Sequence, residues 1–283
     1  MLYVNLMGGL GNQLFQIFTL INLSLEKRIP FKLPLYKKDL VSPLDNSQQR
    51  PTYWNNFLKN LNHFVVQFEE QYVLIREPSF KYTDLTTLDI SPSTNIKLFG
   101  YFQNEKYFKK NYENILKFIK FAEIQNVIFN KHKDLFKNKT ISIHFRIGDY
   151  KVMPLIHPIL NINYYINSIN LIKDKTTIQD ILYFFEERDK EIIQNNIEIL
   201  KNIFPYINFV PRPKNLEDWE ELLLMSCCNH NIIANSSFSW WAAYFNNNKD
   251  KIICAPELWF GPQVTYKDTS DLFPNNWNMI SCE

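Results

Sequence analysis

From Thr140 to Pro256 the sequence keeps returning to one alternation. Short apolar runs, "TISIHFRI", "IQDILYFF", "YINFV", "HNIIANSS" and "KIICAP", are separated by stretches with helical spacing. Those stretches are "NINYYINSINLI", "DKEIIQNNIEILKNI", "NLEDWEELLLMSCC" and "FSWWAAYFNN". Strands that alternate with helices of about 10–15 residues pair in parallel, because each helix carries the chain back to the same sheet end. The expected product is an α/β unit with a parallel sheet covered by helices on both faces.

The first half is less regular. Residues 2–6 read as a strand, a glycine loop follows, and a helix runs from about Asn12 to Glu26. Residues 30–35 read as a short edge strand, and 41–89 as irregular. "IKLFGYFQ" reads as a strand and "NEKYFKKNYENILKFI" as one helix. The expectation is two α/β domains, 1–135 and 136–260, with a tail, 261–283, returning to the first.

Bulk properties exclude several classes. The chain has 283 residues, 46% of them hydrophobic and 16% aromatic, enough for a buried core. A net charge of +2 gives no general attraction for nucleic acid. Cys227, Cys228, Cys254 and Cys282 form no C-x-x-C and have no zinc-finger spacing, so reduced thiols are expected. Gly8, Gly9, Asn12 and Gln13 interrupt the first apolar run, which makes a poor signal peptide. No apolar stretch approaches the ~18 residues of a membrane span. A cytoplasmic protein is the expectation, with peripheral membrane association left open.

Three stretches carry chemistry. "MGGLGNQLFQ" (7–16) starts like a nucleotide-binding turn, but Leu14 stands where a dinucleotide fingerprint has its third glycine. In "TISIHFRIGDY" (140–150), strand alternation puts Ile141, Ile143, Phe145 and Ile147 on one face and Ser142, His144 and Arg146 on the other. A histidine and an arginine at the carboxyl end of a parallel strand need a partner there, either a phosphate or a structural carboxylate such as Asp149. In "HNIIANSSFSWWAAYF" (230–245), a strand ends at Ala234, Asn235 to Ser237 supply capping side chains, and a helix begins. A helix N-terminus is a natural anion site. Together the last two stretches outline a diphosphate site.

"GGLGNQLFQ", "HFRIGDY" and "NIIANSSFSWW", in this order, resemble the inverting α-1,2-fucosyltransferases, which use GDP-fucose. "MPLIHPIL", "YYINSI" and "CAPELWF" agree. The resemblance implies two Rossmann-like domains facing across a cleft (GT-B), no metal, and a nucleotide sugar and a glycan acceptor as partners. It implies catalytic roles for Arg146, Asp149 and Asn12. Arg146 would stabilise the leaving GDP. Asp149 is the nearest carboxylate in the motifs, either a general base or only an orienter of Arg146. Donor contacts would come from Gly9, Gly11, Gln13, His144, Tyr150, Glu187, Asn235, Ser236, Ser237 and Phe238. His157 and Trp240 would reach the acceptor, with further contacts from 36–95.

Three departures stand out. Ile147 replaces a second arginine, "FFEERD" replaces an "FSDD"-like segment, and no acid follows Val210. Alternative readings are an α-1,6 linkage, another donor, or a catalytically silent sugar- or nucleotide-binding module.

Overall fold

The computed structural model describes residues 1–36, 40–41, 49–67, 71–91 and 93–282. The chain divides into two compact units. The first is Met1–Ile124 with Lys267–Pro274, and the second is Gln125–Tyr266 with Asn275–Glu283. The division falls ahead of the expected 135/136 boundary, because Gln125 already belongs to the second unit. Its Nε2 donates to Ser226 Oγ (2.8 Å) and to the Phe245 carbonyl (3.3 Å). The tail is shared between the units rather than returning whole to the first.

The first unit contains β1 (Leu2–Val4), α1 (Leu10–Lys27), β2 (Leu33–Pro34), β3 (Leu40–Val41), β4 (Gln49–Arg50), β5 (Val65–Val66), β6 (Val73–Arg76), β7 (Ile96–Phe99) and α2 (Tyr112–Ile119). Its main sheet is parallel with order β1-β7-β6. β6 lies in the stretch read as irregular; it is a half-exposed edge strand of four residues, Val73–Arg76, too short to show a period. β2 pairs with β5 and β3 with β4 in two small separate ladders. The helix expected from Asn104 is broken. Asn104 caps a short 3-10 turn by accepting from Lys106 N (2.8 Å), a second turn follows, and α2 ends at Lys120 with φ 54°. Phe108 packs edge-on to Phe18 (5.6 Å), and this anchoring holds the chain in turns where helix periodicity alone would continue.

α1 begins two residues before the expected start, with Gly9 as N-cap and no side chain capping it. The glycine the loop requires is Gly8. Its φ is +74°, and a Cβ there would lie 2.4 Å from Asn12 Nδ2. The loop is tied to its own helix. Gln16 Oε1 accepts from Met7 N (3.0 Å), and Gln13 Nε2 donates to the carbonyls of Gly8 (3.0 Å) and Pro51 (2.9 Å).

The second unit contains β8 (Thr140–His144), α4 (Ile162–Lys175), β9 (Asp180–Phe184), α5 (Lys190–Ile203), β10 (Asn208–Pro211), α6 (Asp218–Ser226), β11 (His230–Ile232), α7 (Ser237–Tyr244), β12 (Ile253–Pro256) and β13 (Asn278–Ile280). A further helix, α3 (Phe121–Lys131), precedes them. All pairings are parallel, in the order β10-β9-β8-β11-β12-β13. The chain moves outward from β8 to β10, then crosses back to β11 on the other side of β8. That reversal is a topological switch point, and in such sheets ligands bind beyond the carboxyl ends of the two strands flanking it.

Ile141, Ile143, Phe145 and Ile147 enter one hydrophobic core with α4 and α5, as strand alternation predicts. On the other face Ser142 Oγ accepts from Asn231 Nδ2 (2.7 Å), and Asn231 Oδ1 accepts from Asn246 Nδ2 (2.7 Å). The polar residues of β8 and β11 therefore pair with each other, as buried polar groups must.

Replacing Gly8 by alanine tests the loop. The positive φ and the close approach to Asn12 together should cost about 1–3 kcal/mol. Urea unfolding should show this loss, and an unchanged midpoint would mean that the loop adjusts.

Candidate active site

β8 ends at His144, so Arg146 lies in the loop just past it. Its guanidinium is 15% exposed and pairs with two carboxylates, Asp149 and Glu186. Glu186 follows β9, the neighbouring strand, and its other oxygen pairs with Arg188 Nη2 (2.6 Å). The turn between Arg146 and Asp149 is fixed by a third acid. Asp189 Oδ2 accepts from Gly148 N (2.7 Å), and its Oδ1 meets Lys151 Nζ at 2.6 Å, with the side chain 1% exposed.

Tyr150 joins this cluster to the second motif. Arg146 lies over its ring (5.1 Å to the centroid), and its hydroxyl donates to the Asn235 carbonyl (2.9 Å). Asn235 is buried, and its Nδ2 donates to the carbonyls of Pro158 (2.9 Å) and Trp259 (3.3 Å). The "MPLIHPIL" and "CAPELWF" stretches thereby meet at the same place. His157 stacks on Tyr150 (4.7 Å, 17°) and lies near Phe260 (5.8 Å).

Just beyond Asn235, Ser236 is the N-cap of α7, and its Oγ accepts from Phe238 N (3.4 Å). The first turn of such a helix presents backbone N–H groups and the positive end of its dipole. Ser237 begins α7, and the Phe238 ring lies 5.5 Å from His144. Burial, reinforced by the Arg146 charge, pushes the His144 pKa down to about 3, so the ring is neutral. Among the described residues its Nδ1 has no hydrogen-bond partner.

The structure thus brings Arg146, Asp149, His144, Tyr150, His157, Asn235, Ser236, Ser237 and Phe238 to the switch point. It speaks against one expectation and adds detail to two. Trp240 is wholly buried, packed on Tyr244 (4.8 Å) and Trp277 (5.3 Å), and has no surface to offer an acceptor. Gln13 is wholly buried and its amide nitrogen donates to backbone carbonyls, so it braces the glycine loop, while among the described residues its Oε1 has no hydrogen-bond partner. Glu187 is 64% exposed and 3.6 Å from Arg212, and the acid of this pair that contacts Arg146 is Glu186.

Asn12, Gly9 and Gly11 lie at the start of α1 in the first unit, where Asn12 Oδ1 accepts from Gln103 Nε2 (2.7 Å). Of the acceptor region 36–95, residues 37–39, 42–48, 68–70 and 92 lie outside the described residues. Sequence reasoning missed Asp189, Arg188 and the Arg212–Glu221 pair (2.7 Å). Their signal was an unusual density of charge just past the ends of β9 and β10.

Among the described residues no group of three metal-ligating side chains occurs, and no helix is long and apolar enough to cross a membrane.

The neutral state of His144 has a measurable consequence. Its folded pKa lies below the unfolded value, so the unfolded chain takes up the proton first. The stabilisation is complete above pH 6.5 and is lost as pH falls from 6.5 toward 3. Between pH 6.5 and 5 this group should remove roughly 2 kcal/mol of unfolding free energy. Denaturant titrations of the protein and of His144→Asn at both pH values should show a shallower pH dependence in the variant. Equal slopes would contradict a neutral, buried ring.

The fold and the sequence both have known counterparts. The structure of ADP-heptose LPS heptosyltransferase II from E. coli superposes with a TM-score of 0.51, covering 99% of this chain and 89% of that one at 12% identity. At that identity the likeness speaks for the two-unit α/β fold alone. An α-1,2-colitosyltransferase of Escherichia coli is 27% identical across 97% of both chains. The O-antigen biosynthesis glycosyltransferase WbnK of Escherichia coli is 28% identical over 63% of this chain, an alignment that spans 60% of that protein. The sequence matches glycosyl transferase family 11 over residues 1–281. With the second unit's motifs gathered at one switch point and the match running nearly end to end, this chain belongs to glycosyl transferase family 11, and it is a glycosyltransferase.

Proposed function

We infer that the protein transfers fucose from GDP-fucose to the 2-hydroxyl of a galactose on a glycan acceptor, with inversion and an α-1,2 linkage. One observation carries most of this reading. Tyr150 ties Arg146, beyond β8, to the residues that open α7, beyond β11. A planar guanidinium and a helix N-terminus on either side of a switch point suit a diphosphate.

In the reaction the acceptor oxygen attacks the anomeric carbon. The bond to the β-phosphate oxygen breaks, and its electron pair leaves with GDP. The hydroxyl proton passes to a base or to water. The developing charge on the leaving diphosphate is met by Arg146 and by the first turn of α7, with no metal ion taking part. Glu186 now holds one edge of Arg146. It is the more exposed of the two acids, 33% against 14% for Asp149, so the incoming diphosphate takes its place. Asp149 stays as a positioning residue that aims Arg146. His144 and Tyr150 form the wall beneath, and His157 lies on the acceptor side.

A second donor is supported by the α-1,2-colitosyltransferase relative. Colitose is fucose without its 3-hydroxyl. A site built to bond that hydroxyl rejects the deoxy sugar strongly, whereas an apolar wall does not reject the hydroxylated one well. Parallel assays with the two GDP-sugars and galactose-terminated acceptors, followed by linkage analysis, decide between them.

Arg146→Ala should lower turnover by about 10²–10³, the typical effect of removing one charge-stabilising donor. Chelation of divalent ions should leave the rate unchanged. Near-normal turnover in Arg146→Ala would remove the assignment. For Asp149→Asn the acidic limb of the pH–rate profile should persist at reduced rate. Its disappearance would make Asp149 the base.

A further inference from the structure

The "GYFQ" that follows β7 does not continue the strand, which ends at Phe99. It turns at the carboxyl end of the first unit's sheet, and Glu77, the residue just past β6, holds its backbone. Glu77 N donates to the Phe99 carbonyl (2.8 Å), and the side chain reaches across the turn. Its Oε2 accepts from Tyr101 N (2.8 Å) and its Oε1 from Phe102 N (3.0 Å). Gly100 permits this close approach, because a Cβ there would lie 2.4 Å from Glu77 Cβ and 2.7 Å from Oε2.

The clamp holds an uncommon backbone. Phe102 has φ +53°, although it is a wholly buried aromatic residue. A bulky side chain in this region is strained, and the conformation persists only where its surroundings fix it. Two N–H groups on one carboxylate fix it from one side, and the Phe102 ring, edge-on to Tyr107 (5.3 Å), from the other. Burial pushes the Glu77 pKa up, while the two N–H groups and Lys267 favour its charged form. The reversal at Phe102 aims the next side chain. Gln103 is buried, and its Nε2 donates to Asn12 Oδ1 (2.7 Å). The tie follows the order of the sheet, with Glu77 past β6, Gln103 past β7 and Asn12 past β1. The carboxyl ends of parallel strands are where α/β units bind ligands, and Asn12 remains partly exposed there.

We propose that Glu77 and Gln103 are positioning residues of the transfer reaction, which together hold the Asn12 amide in one direction. The proposal rests on the transfer reaction above, with Asn12 taking part in it. Glu77 spends both oxygens on backbone and acts only through the turn and Gln103.

The test uses the full chain and whichever of the two GDP-sugars the wild type transfers. Glu77→Gln keeps the side-chain shape but turns an NH2 toward one of the two backbone N–H groups, so a clamp bond is lost. Gln103→Ala removes the link to Asn12. Each should lower kcat by about 3- to 10-fold, the worth of one hydrogen bond, with thermal unfolding showing that the variant is folded at the assay temperature. The double variant should fall no more than about twofold below the slower single one, because both act through Asn12. The side-chain amide NMR signal of Asn12 should move in both single variants. Destabilisation alone would leave that signal in place and multiply the two losses. Multiplied losses, or an unmoved Asn12 signal in folded Glu77→Gln, overturn the proposal. So does a wild-type kcat in Asn12→Ala, which removes the part given to Asn12. If the wild type transfers neither sugar, the donor reading fails by itself, and the Asn12 signal still moves if the tie holds and stays if it does not.

Discussion

A guanidinium taken out of water must be matched in charge, and the second unit is organised around one that is. Arg146 sits past the end of a fully buried strand, between Asp149 and Glu186. Removing one partner of such a buried pair generally costs about 3–5 kcal/mol, because the remaining charge is left uncompensated. On the diphosphate reading proposed above, a phosphate would replace a carboxylate, so that the guanidinium is never bare. The exchange is also local, since Arg188 at 2.6 Å can keep Glu186 compensated when Arg146 lets go.

That arrangement depends on the turn behind it. Gly148 has φ +30°, and a Cβ there would come 2.6 Å from Arg188 Nη2 and 2.9 Å from both Glu186 oxygens. Glycine is thus what lets the acid after β9 reach the arginine after β8. Asp189 completes the turn by holding Gly148 N and Lys151 at once. Its carboxylate touches no proposed reacting group, yet it sets the direction in which Asp149, and through it Arg146, can point.

How much of this was legible follows from where periodicity operates. The alternation of strands and helices after Thr140 gave the parallel sheet, because each element is long enough to show its period. The two faces of β8 were readable for the same reason, and Ser142 and the isoleucines fall as expected. Past a strand end the period stops. Glu186 and Glu187 are adjacent, and only the short 3-10 turn that starts at Glu187 decides which faces Arg146. Trp240 and Trp241 resist reading for another reason. Both are buried, and one partner of Trp240 is Trp277, from the far end of the chain. The bracing role of Gln13 was not legible because its partners are backbone carbonyls, one of them at Pro51, which carry no sequence signal.

The glycine loop shows what such hidden partners achieve. Its sequence suggests mobility, with three glycines in four residues. The structure instead fastens it at Met7 and Gly8 by two glutamines of the helix that it opens. α1 starts without a side-chain cap, so its positive end is not masked by a carboxylate or hydroxyl of its own. A rigid loop with an unmasked helix end needs no reordering when a ligand arrives, and catalytic groups held this way act without reorganisation at the moment of reaction. Asn12, hydrogen-bonded to Gln103 and packed over Gly8, is the polar side chain that this frame holds in place. The missing third glycine is then a requirement of the design, because Leu14 is a wholly buried core residue of the helix that keeps the loop still.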